Sequence, residues 1–314
     1  MAYTNTDTNM TTSSALSAGM QTYYNRELLR TFEPNLVHLQ FGDEHRMPPH
    51  SGLVMNMRKL IPLETNTKAL SEGDPGESVM LAETEVTVQL QQYGEYARCT
   101  DKLDLTHLDM DIMRRTKLFG DAGARSIDAV VREELAKCAN VIYAGGKASR
   151  AELTAADKLT SRELRKAVKT LKKNHAQTFG GYFVAIIGPD TMYDLQEDEA
   201  FVKVSQYQDK ENIYTGEVGR LFGVRLVETT EAKIFEGAGA SGADVARVIV
   251  LGQYAYGVTS LKGAKPRVIV KPAGSAGTAD PLDQISTVGW KMDGFGAKLL
   301  QPEYAVRIEC GFSA

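Results

Sequence analysis

Two arms of alternating hydrophobicity constrain this chain more than any other feature. GLVMNMRKLIPL (52–63) puts Leu53, Met55 and Met57 on one side, and ETEVTVQLQQYGEY (83–96) does the same with Val86, Val88 and Leu90. Between them lies LSEGDPGES, where Asp74-Pro75-Gly76 is a strong turn signal. The pattern predicts a long hairpin with one modest apolar face. A lone two-stranded hairpin is marginal in water and needs a third layer. Nothing adjacent in sequence supplies one. The hairpin must fold back on its own chain or lie across a neighbouring molecule.

A second feature points the same way. Residues 106–144 read as one helix, with Thr106 and Asp109 as a capping box and Ile127, Val130, Val131, Leu135, Cys138 and Ile142 as its apolar stripe. Gly120 and Gly123 predict a bend near its middle. Unbroken, such a helix would extend ~55 Å, more than a compact domain of this size needs. It reads as a spine. A shorter helix follows, started by a second capping box of Thr160 and Glu163 and buried through Leu164, Val168 and Leu171. YFVAII (182–187) is a short buried strand, and GPDTMYDL opens a helix with Pro189 in its first turn. Further strands fall at 224–227, 245–251 and 267–270 and near the C-terminus. Their alternation with helices is too irregular for a doubly wound sheet.

Known chemistries find little support. GEVGRLFGVRLVET (216–229) carries Gly216, Gly219 and Gly223, but a dinucleotide fingerprint needs G-x-G-x-x-G after a strand and before a helix. These glycines precede a strand and read as turn positions. His38, His45 and His50 lie near Asp43 and Glu44 without metal-ligand spacing, and Asp101, Asp104, Asp109 and Asp111 suit a helix start better than an acid–base pair. Trp290 reads as a buried aromatic at a packing junction. No catalytic, cofactor-binding or metal residue is assigned. Cys99, Cys138 and Cys310 are odd in number and far apart, which argues against a disulfide framework. The net charge of −4 argues against tight nucleic-acid binding, the one Lys-rich run (165–174) reading as a solvated helix face. The N-terminus lacks the pattern of a secretory signal, and no run approaches the ~18 apolar residues of a membrane helix. With 43% hydrophobic residues a sizeable core is available. What remains is a chain whose arm, hairpin and spine expose surface that one copy cannot bury.

TYYNRELL, LVHLQFGD, LSEGDPG, YGEYARCTDKLDLTHLD, NVIYAGG, YFVAIIGPDTMYDL, GEVGRLFGVRLVET and TVGWK occur in this order from about residue 15 onward. In these stretches the sequence resembles the major capsid proteins of podovirus-type tailed phages, which have the HK97-type α+β fold. The resemblance implies an N-terminal arm (1–45), an extended hairpin or E-loop (46–100), a P-domain with spine helix and second helix (101–181), an A-domain (182–265), and a return to the P-domain with C-terminal strands (266–314). It implies self-association into pentamers and hexamers of an icosahedral virion shell, assembly in the host cytoplasm, a separate scaffolding protein, a portal, room for a decoration protein, and packaged double-stranded DNA without sequence-specific binding. Some members crosslink a hairpin lysine to a P-domain asparagine. Lys59 and Lys68 are the hairpin lysines here, but Asn140 and Asn174 match no acceptor context, so crosslinking is not carried over. The charge pattern singles out inter-subunit contacts: an acidic hairpin tip of Glu72, Asp74 and Glu77, with Pro75 and Gly76 making its turn, and a basic stem of Arg58 and Lys59. A cargo nanocompartment of the same fold and a cytosolic α/β enzyme are the competing readings.

Overall fold

The computed structural model describes residues 28, 36–48, 50–60, 67, 69, 83–102, 112–198, 201, 220–261, 265–275 and 280–313. Along the chain these form β1 (Asp43–Met47), β2 (Val54–Leu60), β3 (Glu83–Gln89), β4 (Gln91–Thr100), α1 (Ile112–Leu135), β5 (Asn140–Tyr143), α2 (Ser161–Lys173), β6 (Phe183–Ile187) and α3 (Pro189–Gln196). Then follow β7 (Arg220–Leu221), β8 (Val224–Glu228), β9 (Ile234–Phe235), β10 (Val245–Leu251), β11 (Tyr256–Leu261), β12 (Arg267–Lys271), β13 (Ile285–Leu299) and β14 (Ala305–Cys310). The chain divides into two units.

The larger unit holds His38–Leu90, Ala129–Lys262 and Gly296–Ala314. Its centre is a sheet in the order β5-β14-β10-β6-β8-β7, with β9 on β10. β5 runs parallel to β14 and β6 parallel to β8, whereas β10 is antiparallel to both its neighbours. Every residue of β6 and β10 is buried, which explains their unbroken apolar sequences FVAII and VARVIVL. Leu164, Ala167, Val168 and Leu171 of α2 join one core with Phe183, Val224, Val248 and Ile308. α2 and β14 thus share one core with the strands of 182–265. Near this sheet in sequence, β1 pairs parallel with β11, and β2 pairs antiparallel with β3.

The smaller unit takes Gln91–Asp128 and Gly263–Phe295. Here β13 lies between β4 and β12, antiparallel to both. Val288 and Trp290 of β13 are buried, as the sequence predicts for the single tryptophan.

Three sequence expectations change. The helix expected over 106–144 is α1, Ile112–Leu135, of 24 residues or ~36 Å; Thr106 and Asp109 lie outside the described residues. Cys138 and Ile142 fit its 3.6-residue period but fall beyond it, Ile142 in β5 opposite Ile308. A short apolar run has no period of its own, and here pairing with β14 decides its state. α1 also continues unbroken through Gly120 and Gly123, both of which are buried. At the start of α2 the Thr160 hydroxyl donates to the Glu163 carboxylate and makes no cap to the backbone. Glu163 is buried and takes the hydroxyl for itself, while the Ser161 N–H is met from a distance by Asp198 Oδ2 at 2.7 Å.

Candidate functional site

The hairpin base is built by alternation. Val54 pairs with Gln89, Asn56 with Thr87 and Leu60 with Glu83, and Thr87 Oγ1 donates to Asn56 Oδ1 at 3.1 Å. One face buries Met57 and Val88, with Leu90 just beyond. Its third layer comes from the same chain. A Cβ on Gly257 would stand 2.7 Å from Met57 Sδ, and one on Gly296 would stand 2.8 Å from Val88 Cγ1, so both glycines are notches filled by the hairpin. Of the two possibilities open in the sequence, the base takes the first: it folds back on its own chain. Of residues 61–82 only Thr67 and Ala69 are described; Glu72, Asp74, Pro75, Gly76 and Glu77 lie outside the described residues. Beside the base, Leu53 and Val54 remain 62% and 52% exposed, so apolar surface is still uncovered there.

Arg58 and Lys59, expected together as a basic stem, point to opposite sides because they are adjacent in a strand. Arg58 is outward, opposite Glu85, with Nη1 3.6 Å from Glu83. Lys59 is turned to the body, where Nζ donates to Glu303 Oε2 at 3.0 Å. That contact holds the Glu303 carboxyl below the usual range. Asn140 and Asn174 each donate to the Glu303 carbonyl, at 3.2 and 3.0 Å. Glu303 thus ties the hairpin to the edge of the central sheet. No local sequence signal announces it, because its partners come from three distant segments.

Gly223 and Phe222 both have positive φ, +79° and +52°, and close a two-residue turn between β7 and β8. Gly216 and Gly219 lie outside the described residues. Among the described residues there is no cluster of histidine, cysteine and carboxylate groups suited to a metal.

The smaller unit offers a second surface that sequence reasoning missed. Registers across β4, β13 and β12 set three rows on one face: Arg98–Thr287–Lys271, Tyr96–Gly289–Ile269, and Gly94–Lys291–Arg267. Tyr96 and Ile269 are 61% and 37% exposed, and Arg98 Nη2 donates to the Tyr96 hydroxyl at 3.3 Å. Lys291 and Arg267 both pair with Asp293, at 2.8 and 3.2 Å. Among the described residues, neither Arg98 nor Lys271 has a carboxylate partner. These rows line a cleft of about 650 Å³. The signal was the period-2 alternation in YAR (96–98) and RVIVK (267–271), but only the register shows that the two segments share a face.

Solved structures share the fold. The capsid of Ralstonia phage GP4 superposes with a TM-score of 0.69 at 15% identity over 100% of this chain and 98% of that one. The capsid of cyanophage Pam1 gives 0.68 at 15% identity, covering 90% and 92%, and that of cyanophage P-SCSP1u gives 0.67 at 16%, covering 88% and 89%. No curated protein matches in sequence. The model of the phage capsid protein family matches residues 83–308.

The chain belongs to the phage capsid protein family. The fold is the α+β fold of HK97-type capsid proteins, and the molecule is a structural one, a major capsid protein that forms the shell.

Proposed function

We propose that copies of this chain close into an icosahedral shell of pentamers and hexamers around packaged double-stranded DNA, with the hairpin of each copy reaching a neighbour. The observation that carries this reading is the hairpin itself. Its base is anchored by Met57, Val88 and Lys59, yet Leu53 and Val54 stay exposed, and 22 residues, 61–82, join β2 to β3. Those residues reach at most ~36 Å from the ends of β2 and β3 if they run out and back as strands. That is enough to cross onto an adjacent subunit. Arg58, already outward, and the acidic residues Glu72, Asp74 and Glu77 are the contacts we assign to that arm, with Pro75 and Gly76 turning it. Lys59 is assigned to its root instead.

Interfaces of this kind gain strength by repetition, because many modest contacts closed by symmetry give a durable cage. The net charge of −4 suits a container, since a strongly basic lining would hold DNA with steep salt dependence. A separate scaffolding protein, a portal and assembly in the host cytoplasm complete the reading, a decoration protein being an optional addition; sequence-specific DNA contact and a membrane are not part of it. No described helix is long and apolar enough to cross a membrane.

Electron microscopy of the concentrated protein, with and without co-expressed scaffold, tests it. Closed shells are expected, and DNA-filled particles from infected cells. A monomer that stays dispersed under both conditions overturns the reading, and shells that never carry DNA turn it into a cargo compartment.

A further inference from the structure

We propose that the C-terminal turn of α1 and strands β10 and β14 enclose a site for a small monovalent inorganic anion, held by guanidinium N–H groups of Arg247 and Arg132. The site lies wholly in the larger unit and stands apart from the shell reading.

An unanswered cation supplies the first argument. β10 is buried along its whole length, and Arg247 is its one charged residue, 2% exposed. A buried cation ordinarily has a carboxylate beside it. The register offers Glu309, directly opposite Arg247 on the same face as Arg307. That carboxylate is already taken, by Arg150 Nε and Nη2 at 2.7 and 2.6 Å and by Arg307 Nε at 2.9 Å. Arg247 keeps one hydrogen bond, from Nη2 to the Arg132 carbonyl at 3.1 Å, and the Phe235 ring with its centroid 6.0 Å away. Its Nε and Nη1 are buried without an acceptor among the described residues, and so is Arg132 Nε. Burial pulls the Arg247 guanidinium down to about 10, Glu133 pushing it back and Arg132 and Arg307 adding to the pull.

Charge balance supplies the second. Arg307 Nη1 donates to the Ala136 carbonyl, so Arg132, Arg247 and Arg307 gather where α1 ends. A helix end carries only about half an elementary charge. Arg132 is met by Glu133 Oε1 at 3.3 Å and by the Glu231 carbonyl at 2.6 Å, and Glu133 is shared with Lys233. Arg132, Arg150, Arg247 and Arg307 thus face Glu133, Glu231 and Glu309, and positive charge is left over. A water molecule could accept from the free N–H groups but would cancel none of that charge. The donor atoms have no exposed surface, so an ion must shed its water to reach them. That cost climbs steeply with charge, which favours a monovalent ion over a phosphate dianion. A DNA backbone is too bulky to reach such atoms. Arg132 and Arg307 are partly exposed and mark the way in.

Thiol labelling tests it. Cys138 is buried just past α1, within reach of the Arg307 and Arg247 charges, which offset part of the upward push that burial gives its thiol. The full chain is labelled with neutral iodoacetamide in sodium gluconate, whose anion is too large to enter, and with chloride replacing gluconate at constant ionic strength. Light scattering verifies the same state of assembly in both salts. About 0.2 M chloride is expected to slow labelling of Cys138 at least about fivefold, and to saturate, because the ion must leave before the turn opens. Cys310, buried in β14, should keep its gluconate rate. Arg247→Met should abolish the chloride effect. Should that variant not fold, Arg132→Gln should raise the half-protecting chloride concentration at least about threefold. Equal Cys138 rates in the two salts overturn the proposal and leave water as the partner of the free N–H groups. Equal slowing of Cys138 and Cys310 assigns the effect to global stability and overturns it, as does a chloride effect unchanged by either substitution. Protection by sulfate without protection by chloride overturns the monovalent assignment.

Discussion

Glu309 has no exposed side-chain surface, yet it is a carboxylate in the middle of β14. It is tolerated because Arg150 grips it with both Nε and Nη2, at 2.7 and 2.6 Å, and Arg307 Nε stands 2.9 Å away. Arg150 in turn lies 3.7 Å over the Phe235 ring. Removing Arg150 leaves this buried carboxylate with Arg307 alone and strips its two-pronged hydrogen bonding, so Arg150→Met should cost about 3 kcal/mol in urea unfolding. Arg150→Lys should recover only part of that, since an ammonium cannot reproduce the two-pronged grip. Asp194 shows the same logic at the chain end. Burial pushes its carboxyl up, but the Ser313 hydroxyl and N–H, at 2.5 and 2.9 Å, and the Lys158 ammonium at 3.0 Å outweigh it and hold the group below the usual carboxylate range. A carboxyl depressed in the folded state contributes stability that is present above its unfolded value, about 4, and is lost as pH falls through its folded one. Melting temperature should therefore fall as pH drops from 4, and Asp194→Asn should flatten that part of the curve while melting lower at pH 7. An unchanged acid limb in the variant would assign the acid sensitivity elsewhere.

At the level of elements, the hairpin is held at its root by one exposed ion pair and two glycine notches. Exposed pairs contribute ~0.2–1 kcal/mol, so Glu303→Gln should scarcely alter global melting. Hydrogen exchange should nonetheless quicken in Val54–Leu60 and Glu83–Gln89, because the root loosens before the sheet does. The same loosening should develop in the unaltered chain as acid protonates Glu303, whose carboxyl is depressed by Lys59. Equal protection in variant and parent would show that the notches alone hold the root. The strands themselves were readable from Met55, Met57, Val86 and Val88, because a half-buried ribbon imposes period 2 on its own sequence. Glu303 was not readable: its partners Lys59, Asn140 and Asn174 lie far away in the chain, and no local pattern encodes a meeting of four segments. Nor could Arg98 and Lys271 be placed together before the register of β4, β13 and β12 was known. The overlong helix erred for the opposite reason. Ile142 satisfied a helical period by spacing alone, while its real state is decided by Ile308 across the β5–β14 ladder.

For the whole molecule, folding and assembly should be separable. The core of the larger unit is complete without the outer hairpin: Phe183, Ile187, Val248, Val250 and Ile308 are buried by α2, α3 and their own sheet. Leu60 and Glu83 are directly paired, so a two-residue Asn-Gly turn can join β2 to β3 in place of 61–82. That chain should keep Met57 and Val88 in their notches, and its melting free energy should stay within about 1 kcal/mol of the parent, as expected for a change on the surface. It should fail to close shells, because the segment we assign to contact with a neighbour is gone. Size-exclusion chromatography with light scattering would then find monomers or small rings where the parent gives particles. Intact shells from the shortened chain would mean that the body alone carries the contacts, and the hairpin would lose its place as the bond between copies. Unfolding of the shortened chain would mean that 61–82 supports its own subunit, which contradicts a core already closed by α2 and the central sheet.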